Sequence, residues 1–145
     1  MFERYDEHAR RSIFFARAEA SHYGSSWIET EHLLLGILQE DSVLRGELGI
    51  QATEQIRAEI ARRTPPSSQN IPLAQDLPLR DASKRALALM AEEAERRSDR
   101  IMNPGHLVLG LLRVTGCMAA ELLGAQGIDI VRYRSVMEKY RQTRA

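Results

Sequence analysis

The chain has 145 residues, of which 43% are hydrophobic and 28% charged, and its 20 basic residues balance its 20 acidic ones. This composition is typical of one globular domain, or of two small halves that share a core. A net charge of zero argues against nucleic acid as a partner, because phosphate binding needs an excess of Lys and Arg on one face. The longest apolar run, Leu33 to Leu38, is far short of the roughly 20 residues that span a bilayer, so we expect no membrane insertion.

The first two predicted helices lie between residues 6 and 40. Asp6 is expected to cap a helix that extends to about His22, because small and apolar residues recur there every three or four positions. Thr30 is expected to cap the second helix, with Glu31 in its first turn, where a carboxylate suits the positive end of the helix dipole. From Leu33 to Leu38 nearly every direction around this helix is apolar, which indicates a helix buried on all sides.

Two more helices and a linker complete the first half. A short third helix is predicted from Ser42 to Leu48, and Thr53 is expected to cap a fourth, in which Ile56 and Ile60 supply the apolar positions. Residues 64–78 contain four prolines and several Ser, Asn and Gln residues, which is linker chemistry. We therefore assign repeat one to residues 1–63, the linker to 64–78 and repeat two to 79–145.

The second half predicts the same order of elements. Pro104 after Asn103 is a good start for the buried helix of this half, because proline is favoured at a first helical position. No strand-like alternation of useful length is present. The sequence thus predicts an all-α fold of eight helices, four in each half. The expected helices of the second half are 81–97, 104–114, 117–125 and 130–142.

One segment is written twice. The segment from Thr30 to Leu38 recurs, with substitutions, as the segment from Pro104 to Leu112. His32 corresponds to His106 and Gly36 to Gly110 at one offset, since 106 − 32 and 110 − 36 are both 74.

A glycine in a helix interior costs about 1 kcal/mol relative to alanine, so its recurrence as Gly36 and Gly110 predicts a second helix passing close by each one. Gly36 to Gly49 spans 13 residues and Gly110 to Gly127 spans 17, so the first half is expected to lack about one helical turn around its third helix.

The start Met1 to Tyr5, the helix with Ala9-Arg10-Arg11, and the doubled box beginning Thr30-Glu31-His32-Leu33 together form a pattern. This pattern resembles the N-terminal domain of Clp ATPases, most closely the ClpC and ClpA type of Hsp100 unfoldase. The resemblance implies a non-catalytic domain, without metal or cofactor, on top of a hexameric ATP-driven ring. In that family the domain recruits adaptor proteins and substrates, which the ring unfolds and threads into the ClpP peptidase.

The sequence departs from the family pattern in the second half. Members of the family usually have Thr-Glu-His in both halves, and the resemblance implies that the glutamates help to bind substrate arginines, phosphorylated in some members. Here Thr30 and Glu31 match, whereas Pro104-Gly105 offers no carboxylate. The usual Ile-Pro-Phe-Thr segment reads Leu77-Pro78-Leu79-Arg80, so the apolar groove of the family would retain Phe2 and have Leu79 in place of an aromatic residue. The resemblance therefore implies one retained site, around Glu31.

Glu31 and the two histidines also allow simpler interpretations. Glu31 could be only a helix-end carboxylate, worth about 0.3–1 kcal/mol through the dipole. Glu31 and His32 could form an acid–base pair in a hydrolase, or His32 and His106 could ligate a metal. We favour structural histidines, each packed near the start of a buried helix and donating a hydrogen bond to a loop carbonyl. Adjacent helical side chains do not face each other, and two histidines are fewer than the ligands a zinc site takes.

The remaining candidates concern packing and location. Phe2, Tyr5 and Leu79 could be ordinary core residues or the wall of a partly exposed groove. Cys117, the only cysteine, excludes an intrachain disulfide and is expected to be buried and inert. The charged N-terminus lacks the apolar stretch of a secretory signal, so a reducing, cytoplasmic location is the expectation. The arginines of the last helix are expected to form a solvated face.

The leading functional prediction is a recognition module that docks an adaptor, or an unfolded or arginine-bearing substrate, for a Clp unfoldase and its peptidase. The alternative is a free-standing accessory subunit that stabilises or regulates a Clp peptidase complex. No G-x-x-x-x-G-K-[ST] phosphate loop is present, so the ATPase would have to lie in a longer chain or in another protein.

Overall fold

Eight α-helices run through the described part of the chain, which in the computed structural model comprises residues 3–65 and 76–144. This confirms the predicted all-α fold of two four-helix units. Phe2 and residues 66–75 of the linker lie outside the described residues. No helix in the two described ranges is long and apolar enough to cross a membrane. The helices are α1 (Glu7–His22), α2 (Thr30–Glu40), α3 (Ser42–Leu48), α4 (Ile50–Arg63), α5 (Asp81–Arg96), α6 (Pro104–Leu112), α7 (Met118–Ala125) and α8 (Ile130–Arg144).

The helix starts agree with the sequence prediction in part. Asp6 caps α1, its carboxylate accepting a hydrogen bond from the N–H three residues later at 2.8 Å. The predicted cap of α2 was wrong, because the extended residue before the helix is Glu29 and Thr30 is already helical. The predicted cap of α4 was also wrong. That helix begins directly after Gly49, whose φ of +85° suits glycine, and the Thr53 hydroxyl donates back to the Gly49 carbonyl at 2.8 Å.

The two leucine-rich helices α2 and α6 form the centre of the molecule and contact each other. α1 packs along α2, and α5 packs along α6. A Cβ added to Gly36 would lie 2.7 Å from the backbone nitrogen of Ala16, and one added to Gly110 would lie 2.9 Å from that of Met90. The prediction that another helix passes close to each glycine is therefore confirmed. Ala16 and Met90 are themselves 74 residues apart, so both halves use the same crossing.

Two β-bridges, each between single residues, interlock the halves. Tyr5 pairs with Met102, and Leu79 pairs with Ile28, both in parallel orientation. The backbone of Met102 makes hydrogen bonds of 2.7 and 2.9 Å to the residues on either side of Tyr5. The backbone of Ile28 makes the equivalent bonds of 2.8 and 3.0 Å around Leu79. The extended segment that leads into each repeat thus pairs with the other repeat, in front of its buried helix.

The four extra residues of the second half lie around its third helix, as the spacing predicted, but mainly outside the helix itself. α3 has seven residues and α7 has eight. A single residue, Asp41, separates α2 from α3, whereas residues 113–117 separate α6 from α7. The additional length therefore lies mainly in that connection.

A buried ion cluster joins α5, the end of α6 and α8. Glu93 is almost fully buried, and its Oε2 accepts hydrogen bonds from Arg113 at 3.1 Å and Arg134 at 2.9 Å. Arg134 also donates through Nε to Oε1 at 3.1 Å. Burial by itself raises the pKa of Glu93, but the two guanidinium groups outweigh it and leave this pKa below its ordinary value.

Candidate partner-binding site

Glu31 lies in the first turn of α2 and is only 7% exposed. None of the ion pairs among the described residues involves it, and its pKa is raised, first because burial disfavours the charged form. A hydrogen bond from its own backbone N–H opposes this shift, and the neighbouring charge of Glu29 adds to it. The structure therefore holds here a largely desolvated carboxylate without a cationic partner among the described residues.

Thr30 connects this carboxylate to the other half of the molecule. Its side chain is buried, and its Oγ1 accepts a hydrogen bond from the backbone N–H of Ala119 at 3.5 Å, in the first turn of α7. The start of α2 therefore meets the start of α7. Cys117 precedes α7 as its cap and accepts from the Ala120 N–H at 3.4 Å. Cys117 is partly buried, so its expected complete burial was wrong.

Leu79 is brought to the same corner by its pairing with Ile28, two residues before the start of α2. It is half-buried and packs against the core. Of the residues predicted to bind a partner, the structure thus brings Thr30, Glu31 and Leu79 to one corner. Phe2 falls outside the described residues.

A rim beside Glu31 was missed by the sequence analysis. It consists of Trp27, Glu29 and Arg80, and we call it the Trp27 rim. The guanidinium of Arg80 lies over the Trp27 ring, 4.4 Å from its centroid. Its Nε and Nη2 both donate to one oxygen of Glu29 at 3.2 Å. One signal was available, because Trp27 is the only tryptophan of the chain and stands just before the Thr-Glu-His box.

The two histidines make the same first contact. His32 Nδ1 accepts a hydrogen bond from the Glu29 N–H at 2.9 Å, and His106 Nδ1 accepts from the Asn103 N–H at 2.9 Å. The expected hydrogen bond from each histidine to a loop carbonyl was therefore wrong, because each ring accepts from an amide instead. Burial lowers the pKa of His32 to about 4. No group of three or more metal-binding side chains occurs in the two described ranges.

His106 has its second ring nitrogen committed as well. Because Nδ1 accepts a hydrogen bond, the neutral ring carries its proton on Nε2, which donates to Asp99 at 2.8 Å. Burial lowers the pKa of His106, and the Asp99 carboxylate opposes that shift without cancelling it. Asp99 is itself paired with Arg97 and Arg141. This network fixes the ring and leaves neither nitrogen available to a substrate.

The equivalent of Glu31 in the second half is Gly105, and the space for a side chain there is occupied. A Cβ on Gly105 would lie 3.0 Å from Met137 of α8 and from the Asn103 side chain. A cavity of about 430 Å³ lies in front of this position, between the two halves. Carboxylates including Asp6 and Glu40 line it on one side, and arginines 97 and 141 on the other. The second half therefore has a cavity at this place but no free carboxylate like Glu31.

An open groove with both apolar and charged side chains lies between α1 and α4. Phe14 and Phe15 line it with their rings in edge-to-face contact, and Phe14 is 55% exposed. Ala58 and Ala61 of α4 form the opposite wall. The groove could not be predicted from the sequence, because its walls come from two helices that are distant in the chain.

Known proteins with similar sequences are subunits of Clp systems. The chain is 30% identical over 139 residues to the "ATP-dependent Clp protease ATP-binding subunit ClpA homolog" of Guillardia theta, covering 93% of this chain and 17% of the relative. It is 32% identical over 133 residues to "Chaperone protein ClpC1, chloroplastic" of Oryza sativa subsp. japonica, covering 89% of this chain and 14% of the relative. The chain thus spans less than a fifth of the length of these relatives.

Among solved structures, the N-terminal domain of the caseinolytic protease associated chaperone ClpD from Arabidopsis thaliana is similar. The superposition has a TM-score of 0.75 at 26% sequence identity and covers 98% of this chain and 97% of that one. The family described as the Clp repeat (R) N-terminal domain matches residues 4–101 and again residues 78–144. The two matches together cover nearly the whole chain, which belongs to the family of Clp repeat N-terminal domains.

Proposed function

We propose that the chain is a non-catalytic recognition module of a Clp-type ATP-dependent unfoldase–protease system. It binds adaptor proteins, or unfolded polypeptides that carry arginine, at the corner formed by Glu31, Thr30 and Leu79. A Clp ATPase ring and a ClpP peptidase are its proposed partners in the wider assembly. Membership of the Clp family supports this proposal, and so do the names of the relatives. The cytoplasm stays the predicted location, although some relatives are named as chloroplastic.

The observation that carries the proposal is the carboxylate of Glu31, buried and without a cation among the described residues. A guanidinium is the group that suits it best, because arginine can donate two parallel hydrogen bonds to one carboxylate. A bound cation favours the charged carboxylate and so opposes the effect of burial, which raises the pKa of Glu31. Binding is therefore expected to release protons at pH values near that pKa. Leu79, half-buried beside the entrance to α2, offers an apolar surface for the neighbouring residues of the bound segment.

Calorimetry with matched peptides tests the proposal. The probe is a Gly/Ser-rich peptide with a single arginine, compared with the same peptide in which citrulline, uncharged but nearly isosteric, replaces arginine. Glu31→Gln is expected to weaken binding of the arginine peptide by about ten-fold or more, because a hydrogen bond to a charged group contributes about 1.5–3 kcal/mol. The melting temperature is expected to stay equal or to rise slightly, since the variant removes a buried charge.

Glu54→Gln is the matched control, because Glu54 is an exposed carboxylate on α4, on the side of the other groove. It is expected to bind the arginine peptide like the wild type. Equal affinity of the wild type and Glu31→Gln for that peptide would refute the proposal, and so would equal affinity of the wild type for the arginine and citrulline peptides.

A further inference from the structure

Arg80 occupies the two groups at this corner that could otherwise bind an arginine of a partner. Its Nε and Nη2 donate to Glu29, the residue just before α2, and its guanidinium covers the Trp27 ring. A carboxylate and an aromatic face are the two surfaces to which guanidinium groups bind best in proteins. The chain therefore places one of its own arginines on Glu29, two residues before Glu31.

The side chain of Arg80 is free to leave without disturbing the fold. Its backbone is fixed, because its N–H donates to the Ile28 carbonyl at 3.0 Å and its carbonyl accepts from Lys84 at 2.9 Å. The side chain makes no cap of α5 and is 47% exposed. Its contacts with Glu29 and Trp27 are thus surface contacts, which are individually weak.

The charges at the start of α2 explain why Arg80 matters for binding. Glu29 is one of the causes of the raised pKa of Glu31, so the two carboxylates lie close enough to interact. Arg80 pairs with the outer carboxylate and leaves the inner one without a cation. A guanidinium entering from solvent towards Glu31 therefore meets a positive charge at the rim and an aromatic face that is already covered.

We propose that Arg80 is an intramolecular competitor for the arginine of the partner, and that binding requires its exchange from Glu29 and Trp27. This inference rests on the proposed function of Glu31. Arg80 thereby lowers the affinity of the site for an arginine that makes no other contact. A segment with one isolated arginine binds weakly, and a segment that also offers apolar contact to Leu79 displaces Arg80 more readily. Arg80 is here a specificity-determining residue.

The experiment measures affinity for the single-arginine peptide in the whole chain and in point variants. Arg80→Ala is expected to bind that peptide about three- to ten-fold more tightly than the wild type, because an exposed ion pair and a cation–π contact no longer oppose it. Arg80→Lys keeps the charge but loses the planar fork, so an intermediate affinity is expected. Arg85→Ala removes one exposed positive charge from the same helix and is expected to change affinity less than two-fold.

A spectroscopic measurement follows Arg80 itself. Its ¹⁵Nε–Hε resonance, assigned by its absence in Arg80→Lys, is expected to shift when the arginine peptide is added and to stay in place with the citrulline peptide. A shift together with tighter binding of Arg80→Ala supports the proposal.

The failures are distinguishable. Unchanged or weaker binding by Arg80→Ala, while Glu31→Gln still weakens binding, overturns the competitor role and leaves the proposed function standing. An equal gain in Arg80→Ala and Arg85→Ala also overturns it, because general electrostatics would then explain both. Equal binding by the wild type and Glu31→Gln, or no binding by any variant, overturns the proposed function and the competitor role together.

Discussion

Alanine at Gly36 is expected to destabilise the protein, although alanine is the better helix former. A Cβ at this position would lie 2.7 Å from the backbone nitrogen of Ala16 and closer still to the carbonyl oxygen of Ser12. Ordinary van der Waals contact begins at 3.4 Å, so relief of the contact with Ala16 alone would require α1 and α2 to separate by roughly 0.7 Å, and the contact with Ser12 would require more. Overpacking of this kind costs about 1–3 kcal/mol, and more where the added methyl group clashes with backbone atoms. The higher helix propensity of alanine offsets only about 1 kcal/mol of this cost.

We therefore expect Gly36→Ala to lose about 2 kcal/mol of unfolding free energy, or roughly 4–8 °C in melting temperature for a chain of this size. Gly110→Ala is expected to behave alike, because its Cβ would meet the carbonyl of Ala86 and the nitrogen of Met90 in the same way. Urea unfolding followed by circular dichroism measures both variants.

Two controls isolate the cause. Gly46→Ala introduces the same methyl group inside α3, where nothing lies within 4 Å, and is expected to stabilise by about 0.5–1 kcal/mol. Ser12→Ala combined with Gly36→Ala is expected to recover nothing, because the clash involves backbone atoms. If Gly36→Ala proved as stable as the wild type, or if the Ser12 change rescued it, the close crossing of α1 and α2 would be wrong.

Two further predictions concern pH and the buried ion cluster. Burial lowers the pKa of His32 in the folded protein to about 4, below its ordinary value of 6.5. Between these two pH values the unfolded chain binds a proton at His32 that the folded chain does not. The free energy of unfolding is therefore expected to fall as pH drops from about 6.5 to 4, by up to about 3 kcal/mol from this group. Urea titrations at several pH values check this, and His32→Gln should flatten the dependence, whereas the exposed His22→Gln should not. Glu93→Gln is expected to cost about 1–3 kcal/mol at neutral pH, because Arg134 then loses its carboxylate partner and Arg113 keeps only Glu92. Since the pKa of Glu93 is depressed, its contribution is present above pH 4.5 and is lost as pH falls through the folded pKa, so wild type and variant should converge in acid. A constant difference down to pH 2 would contradict that assignment.

The repeat could be predicted from the sequence because it rests on local patterns. Gly36 and Gly110 stand at one offset within leucine-rich runs, and a glycine inside a fully apolar helix is explained only by close packing. The helices could be predicted for the same reason, since periodicity and turn residues act over a few neighbouring positions. Glu31 could be singled out as a carboxylate at a helix start, and the resemblance to the Clp family gave it a proposed role.

What surrounds Glu31 depended on residues that are distant in the chain. Arg80 reaches Glu29 across 51 positions, and it does so because the segment at Leu79 pairs with Ile28 of the other repeat. Met137 of α8 fills the space beside Gly105, which makes the two halves unequal at the position where one has Glu31 and the other a glycine. Periodicity specifies which face of a helix is buried, but it carries no information about which distant segment covers that face. The helices and their duplication were thus determined by the sequence read locally, whereas the interlocked halves and the pairing of Arg80 with Glu29 were decided only by tertiary packing.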